Sequence, residues 1–76
     1  MSIKVKYFAS IREALGRNED VLAARPGMTV EQVWQIAAHY DVPANTIVAV
    51  NEEFSDWQQS VSDGDEVAFF PPVTGG

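Results

Sequence analysis

Thr29-Val30-Glu31-Gln32-Val33-Trp34-Gln35-Ile36-Ala37-Ala38-His39-Tyr40 is the stretch that decides the architecture. Val30, Val33, Trp34, Ala37 and Ala38 recur at the spacing that gathers them on one face of an α-helix. Thr29 and Gln32 have the spacing of a capping box, which satisfies N–H groups left without partners at a helix start. Asp41 and Pro43 close the segment, because the residue before a proline is pushed out of helical geometry. The pattern predicts one main amphipathic helix over about residues 30–40. Its apolar stripe needs a second layer to cover it.

The flanking sequence supplies that layer. Ile3-Lys4-Val5-Lys6-Tyr7-Phe8 alternates with period two, with Ile3, Val5 and Tyr7 on one face. Lys4 and Lys6 mark the other face as solvated, so Phe8 is an apolar residue on the polar side. Ser10 and Glu13 repeat the capping-box spacing and Gly16 suits a helix stop, which predicts a short helix of about two turns. Val21-Leu22-Ala23 reads as a second strand and Pro26-Gly27 as a turn. Ile47-Val48-Ala49-Val50 is a third strand, and Asn51-Glu52 a tight turn into a short partner near Glu53-Phe54. Trp57 and Val61 pin an irregular stretch. Ser62-Asp63-Gly64-Asp65 is a further turn, and residues 66–70 form the last strand. The order predicts an α+β domain over residues 1–70, a mixed sheet packed on one main helix. With its first and last strands side by side it would be a β-grasp, followed by a flexible tail over residues 71–76.

The size of the chain limits what it does alone. Its 76 residues make one domain, burying only roughly 60% of the surface that the unfolded form exposes. A deep, self-contained active site does not fit, which favours a carrier, modifier or interaction module over an enzyme. Five Lys+Arg against 11 Asp+Glu leave a net charge of −6. Nucleic acid and anionic membrane surfaces are therefore disfavoured partners. There is no cysteine, which excludes disulfides, thiolate catalysis and cysteine-ligated metal. No apolar run approaches the roughly 20 residues needed to span a bilayer, and no secretory signal opens the sequence. The expectation is a soluble, cytoplasmic protein with no bound cofactor or metal.

The end of the sequence, Phe69-Phe70-Pro71-Pro72-Val73-Thr74-Gly75-Gly76, carries the chemistry. Pro71 and Pro72 cannot donate ladder hydrogen bonds, so the strand stops at about Phe70. They also stiffen the exit toward polyproline-II geometry. Residues 71–76 would reach about 20 Å when extended. Gly75 and Gly76 bear no side chains and thread a channel too narrow for a Cβ, and Thr74 and Val73 lead into them. The reactive group is then the Gly76 α-carboxylate. A carboxylate is a poor electrophile until adenylation turns it into a mixed anhydride, so a partner must supply ATP and nucleophile. A frayed end that happens to finish in glycine is the bland alternative.

The run Asp63-Gly64-Asp65-Glu66-Val67-Ala68-Phe69-Phe70-Pro71-Pro72-Val73-Thr74-Gly75-Gly76 resembles the C-terminal signature of the small, sulfur-carrying subunits of molybdopterin synthase. Ile3 to Glu13 and Val48-Ala49-Val50-Asn51 resemble that family too, whereas residues 18–45 are less distinctive. The resemblance implies a ubiquitin-like β-grasp fold. It implies activation of Gly76 by an adenylating enzyme similar to ubiquitin-activating enzymes, then conversion to a thiocarboxylate. The loaded tail would enter a large synthase subunit and pass its sulfur to cyclic pyranopterin monophosphate, two transfers building the dithiolene. The acid–base residues would lie on the large subunit, in a heterotetramer.

The strand pattern bears on docking. Val67 and Phe69 share one face of the last strand, and Glu66, Ala68 and Phe70 the other. If Val67 packs inward with Ile3 and Val5, Phe70 lies outside near Phe8, a partner-binding pair beside the tail. The resemblance places Phe8 and Phe70 at such a contact. Glu52, Glu53 and Asp56 read as a solvated edge, or as an attraction for a basic groove. His39 near the helix end has no second ligand at metal-binding spacing. Asp63, Asp65 and Glu66 lack the ligand loop of a calcium site. Two further functions share the diglycine end: a protein modifier joined to lysines through Gly76, and a sulfur carrier for thiazole synthesis. A pure scaffold is the remaining reading.

Overall fold

The computed structural model describes residues 1–38 and 45–72. Its elements are β1 (Ser2–Tyr7), α1 (Ala9–Leu15), β2 (Glu19–Ala23), α2 (Val30–Ala37), β3 (Ile47–Val50), β4 (Glu53–Ser55) and β5 (Glu66–Phe70). They form a five-stranded sheet in the order β2-β1-β5-β3-β4. β1 and β5 run parallel, with Val5 opposite Val67 and Tyr7 opposite Phe69. The other neighbouring pairs are antiparallel. First and last strands thus lie side by side, and α2 covers one face of the mixed sheet. The architecture is the α+β β-grasp that the pattern predicts, ubiquitin-like as the resemblance implies. No helix among the described residues is long and apolar enough to cross a membrane.

One core lies between α2 and the sheet. Ile3, Val5 and Tyr7 from β1, Val48 from β3, and Val67 and Phe69 from β5 meet Val30, Val33, Trp34 and Ala37 of α2. Ile11 closes the core from α1, and Met28 and Val61 from the loops. The Phe69 ring is its centre. It lies 4.9 Å from the Trp34 ring, edge to face, 5.5 Å from Trp57 and 6.2 Å from Tyr7, both stacked. Trp57 is partly buried against this cluster, so it and Val61 are the pins expected of them.

The start of α2 accounts for each of its first N–H groups. Val30 N–H donates to the Gln59 carbonyl and Glu31 N–H to that of Trp57, both at 3.0 Å. Gln32 N–H donates to Thr29 Oγ1 at 3.4 Å, and Thr29 N–H donates to Gln32 Oε1 at 3.0 Å. The expected capping box is therefore present in full. At the far end, Ala38 is the C-cap and Arg17 Nη2 donates to the Ala37 carbonyl. The expected continuation over His39 and Tyr40, with its Asp41 and Pro43 closure, lies outside the described residues.

The other capping box is not formed. α1 begins at Ala9 with Phe8 as N-cap, and no side chain caps it. Strand pairing sets the start instead. Phe8 N–H donates to the Phe69 carbonyl at 3.2 Å, while the Phe8 carbonyl accepts from Ile11 N–H at 3.2 Å. The first turn thus closes on a residue still held by the sheet, and Ser10 falls inside the helix. Gly16 ends α1 at φ 73°, its N–H on the Arg12 carbonyl at 2.9 Å. β2 starts two residues earlier than Val21, because Glu19 already pairs with Lys6. The expected Asn51-Glu52 turn joins β3 to β4 with φ of 51° and 70°. For a glutamate that left-handed backbone costs about 1–2 kcal/mol.

Candidate functional site

The sheet has a second face, away from α2, and its floor follows from the register. Lys6 pairs with Ala68, Ala68 with Ala49, and Ala49 with Phe54, so the four share one row. Ala49 and Ala68 are buried, yet neither belongs to the α2-facing core. Small residues here leave a depression of about 390 Å³, walled by Phe8, Phe54, Phe70, Lys6, Glu52 and Glu66. Two of its walls are charged partners, with Lys6 Nζ 3.5 Å from Glu66 Oε1.

Phe8 and Phe70 stand where the alternation places them. Their rings stack at 4.6 Å with 8° between planes. The cause is the ladder contact from Phe8 N–H to Phe69, which carries β1–β5 pairing one step past Tyr7. Phe8 remains 37% exposed and Phe70 half-buried. Pro71 and Pro72 continue from Phe70, also half-buried. Tail residues Val73, Thr74, Gly75 and Gly76 lie outside the described residues. The structure therefore brings Phe8 and Phe70 together in the wall of this depression, with Pro71 and Pro72 following Phe70 in the chain.

Phe54 belongs to the same face and is missing from the sequence-based site. It is 84% exposed and joins Phe8 and Phe70 around one depression, so the three make an apolar patch rather than an isolated ring. A signal for it existed. A two-residue turn at Asn51-Glu52 makes Val50 pair with Glu53, which sets Phe54 opposite Ala49 and hence on the face of Ala68 and Phe70.

Two polar clusters hold the ends of these strands. At the β5 entrance, Asn51 Nδ2 donates to Asp65 Oδ1 at 3.0 Å and Ser62 N–H to Asp65 Oδ2 at 2.8 Å. Asn51 Oδ1 in turn accepts from Glu66 N–H at 3.0 Å. The Asn51 amide, followed by the Ser62 N–H, holds the Asp65 carboxyl below its usual range. Between β1 and β2, Tyr7 Oη donates to Asp20 Oδ2 at 2.8 Å and Arg17 Nε to the same oxygen at 2.7 Å. Burial, then the Asp20 hydrogen bond, drives the Tyr7 phenol well above its ordinary value. Tyr7 stays neutral and serves as a donor, which ties β1 to β2. No group of acidic or histidine side chains among the described residues is arranged to hold a metal.

Comparison with known proteins bears on what such a face serves. Residues 5–76 match the model of the ThiS family. The molybdopterin synthase sulfur carrier subunit of Escherichia coli is 43% identical, the alignment covering 97% of this chain and 99% of that one. That of Chlamydomonas reinhardtii is 40% identical over 100% of both. The crystal structure of SAMP1 from Haloferax volcanii superposes with a TM-score of 0.82 at 24% identity, covering all of both chains.

Proposed function

From the premise that the chain belongs to the ThiS family, we propose that it is the sulfur carrier subunit of a molybdopterin synthase. The observation that carries this reading is full-length likeness to two relatives so named, at 43% and 40% identity. The Phe69-to-Gly76 run and the apolar face beside it agree with that reading. The Gly76 carboxylate attacks the α-phosphate of ATP on an adenylating partner, and pyrophosphate leaves. Sulfide, as HS⁻, then attacks the acyl carbon and expels AMP, the C–O bond to phosphate breaking as the C–S bond forms, and a thiocarboxylate results. Inside the large subunit that sulfur passes to cyclic pyranopterin monophosphate in forming the molybdopterin dithiolene. This chain supplies no acid or base; it supplies a narrow end and a docking face. The assembly is a heterotetramer in the cytoplasm, two small subunits flanking a dimer of large ones.

Intact-protein mass spectrometry of the chain purified from its own cells tests the reading. A carrier shows a terminal oxygen-to-sulfur exchange. High-mass conjugates without that exchange would identify a modifier instead, and loading by a thiazole-pathway partner alone would identify the thiazole carrier. Likeness of fold to SAMP1 does not choose between these, since one fold hosts several functions.

The docking face gives a second expectation. Phe8→Ala or Phe70→Ala is expected to weaken binding to the large subunit by about 1–2 kcal/mol, roughly five- to thirtyfold in Kd. Calorimetric titration measures it. Unchanged Kd for both variants would remove these rings from the interface.

A further inference from the structure

Among the described residues, four that are not glycine hold positive φ: Ala9, Asn45, Asn51 and Glu52. Asparagine tolerates that backbone; alanine and glutamate do not. Of those two, Glu52 lines the apolar depression, and Ala9 is the chain neighbour of Phe8, which lines it too. Glycine is the residue a two-residue hairpin favours at the Glu52 position. Backbone strain of this kind collects where a side chain has a task that stability alone would not select.

The charges narrow the task. Of the two carboxylates in the wall, Glu66 is paired with Lys6 at 3.5 Å. Glu52 has no ion-pair partner among the described residues. A partner that covers Phe54 and Phe70 takes water from the Glu52 carboxylate as well. Without a cation at its edge, that partner leaves a desolvated, unpaired charge, which is costly.

We propose that Glu52 is a specificity-determining contact: its carboxylate receives an ion pair from a lysine or arginine rimming the partner's apolar surface. The partner is the large subunit, so the inference rests on the docking reading above. It also rejects partners that are acidic at this point, since like charges would be forced together.

Titration of the full-length chain against the purified large subunit, at low and high salt, tests it with Glu52→Gln, Glu52→Lys, Glu52→Gly and Phe54→Ala. Glu52→Gln is expected to raise Kd about two- to fivefold and flatten its salt dependence. Glu52→Lys is expected to raise Kd about tenfold or more at low salt. Glu52→Gly should bind as weakly as Glu52→Gln while its Tm rises by about 2–8 °C, because the turn relaxes. Wild-type Kd for Glu52→Lys, with Phe54→Ala weakened, would make Glu52 a solvated turn residue and overturn the inference alone. Wild-type Kd for both would overturn the docking face and the inference with it.

Discussion

Removal of Gly76 is expected to cut sulfur transfer by at least about 10²-fold while leaving the domain folded. The chain end would still be a glycine carboxylate, so the chemistry of the group is unchanged. Its position is not, because one extended residue spans about 3.3–3.6 Å. Reacting atoms must approach within about 3–3.5 Å, and a misplacement of about 1 Å already costs about 10²-fold. Addition of one residue after Gly76 is expected to fail equally, since it moves the carboxylate past the reacting position. The fold does not depend on this residue, because the buried set along β5 ends at Phe69. Tm should therefore stay within about 2–4 °C of wild type. Single-turnover transfer with purified partners, beside thermal melts, separates the two effects. Transfer at the wild-type rate after deletion would remove Gly76 from the mechanism.

Period and spacing made most of the fold legible. Ile3, Val5 and Tyr7 announced the buried face of β1, and Val67 and Phe69 that of β5. Thr29 and Gln32 announced the start of α2, where the capping box satisfies the local backbone. The same spacing at Ser10 and Glu13 misled, because a long-range contact from Phe8 to Phe69 decides where α1 begins. Local pattern carries no information about a partner more than 60 residues away. The early start of β2 has the same origin, in pairing with Lys6. In the site, Phe8 and Phe70 followed from alternation plus the adjacency of β1 and β5. Phe54 required the register of the β3–β4 hairpin to be traced to its end, and Glu52 required the backbone angle of its turn. The first was within reach of the sequence through the Asn51-Glu52 turn; the second is not written in residue type.

Phe69→Ala and Phe70→Ala should have opposite consequences although the residues are neighbours. Phe69 is fully buried and meets Trp34, Trp57 and Tyr7 at 4.9, 5.5 and 6.2 Å. Truncation leaves a cavity that three rings and a sheet cannot close, a loss of about 3–5 kcal/mol. Each aromatic pair adds about 0.5–1.5 kcal/mol beyond its area. A domain of 76 residues holds only about 4–11 kcal/mol in total. Phe69→Ala is therefore expected to lower Tm by about 12–40 °C, and at the lower end of that stability it leaves a partly unfolded protein at room temperature. Phe70 points to the other face, half-buried and stacked on Phe8. Its truncation removes one exposed stack and should lower Tm by only about 4–8 °C. Binding to the large subunit then reverses the order of interpretation: Phe70→Ala binds weakly as a folded protein, whereas Phe69→Ala binds only in proportion to its folded fraction. Urea titrations followed by the fluorescence of Trp34 and Trp57 read the stability directly, since both indoles touch the deleted ring. An equal fall in Tm for the two variants would mean that β5 does not divide its phenylalanines between core and partner, and the docking face would lose its structural basis.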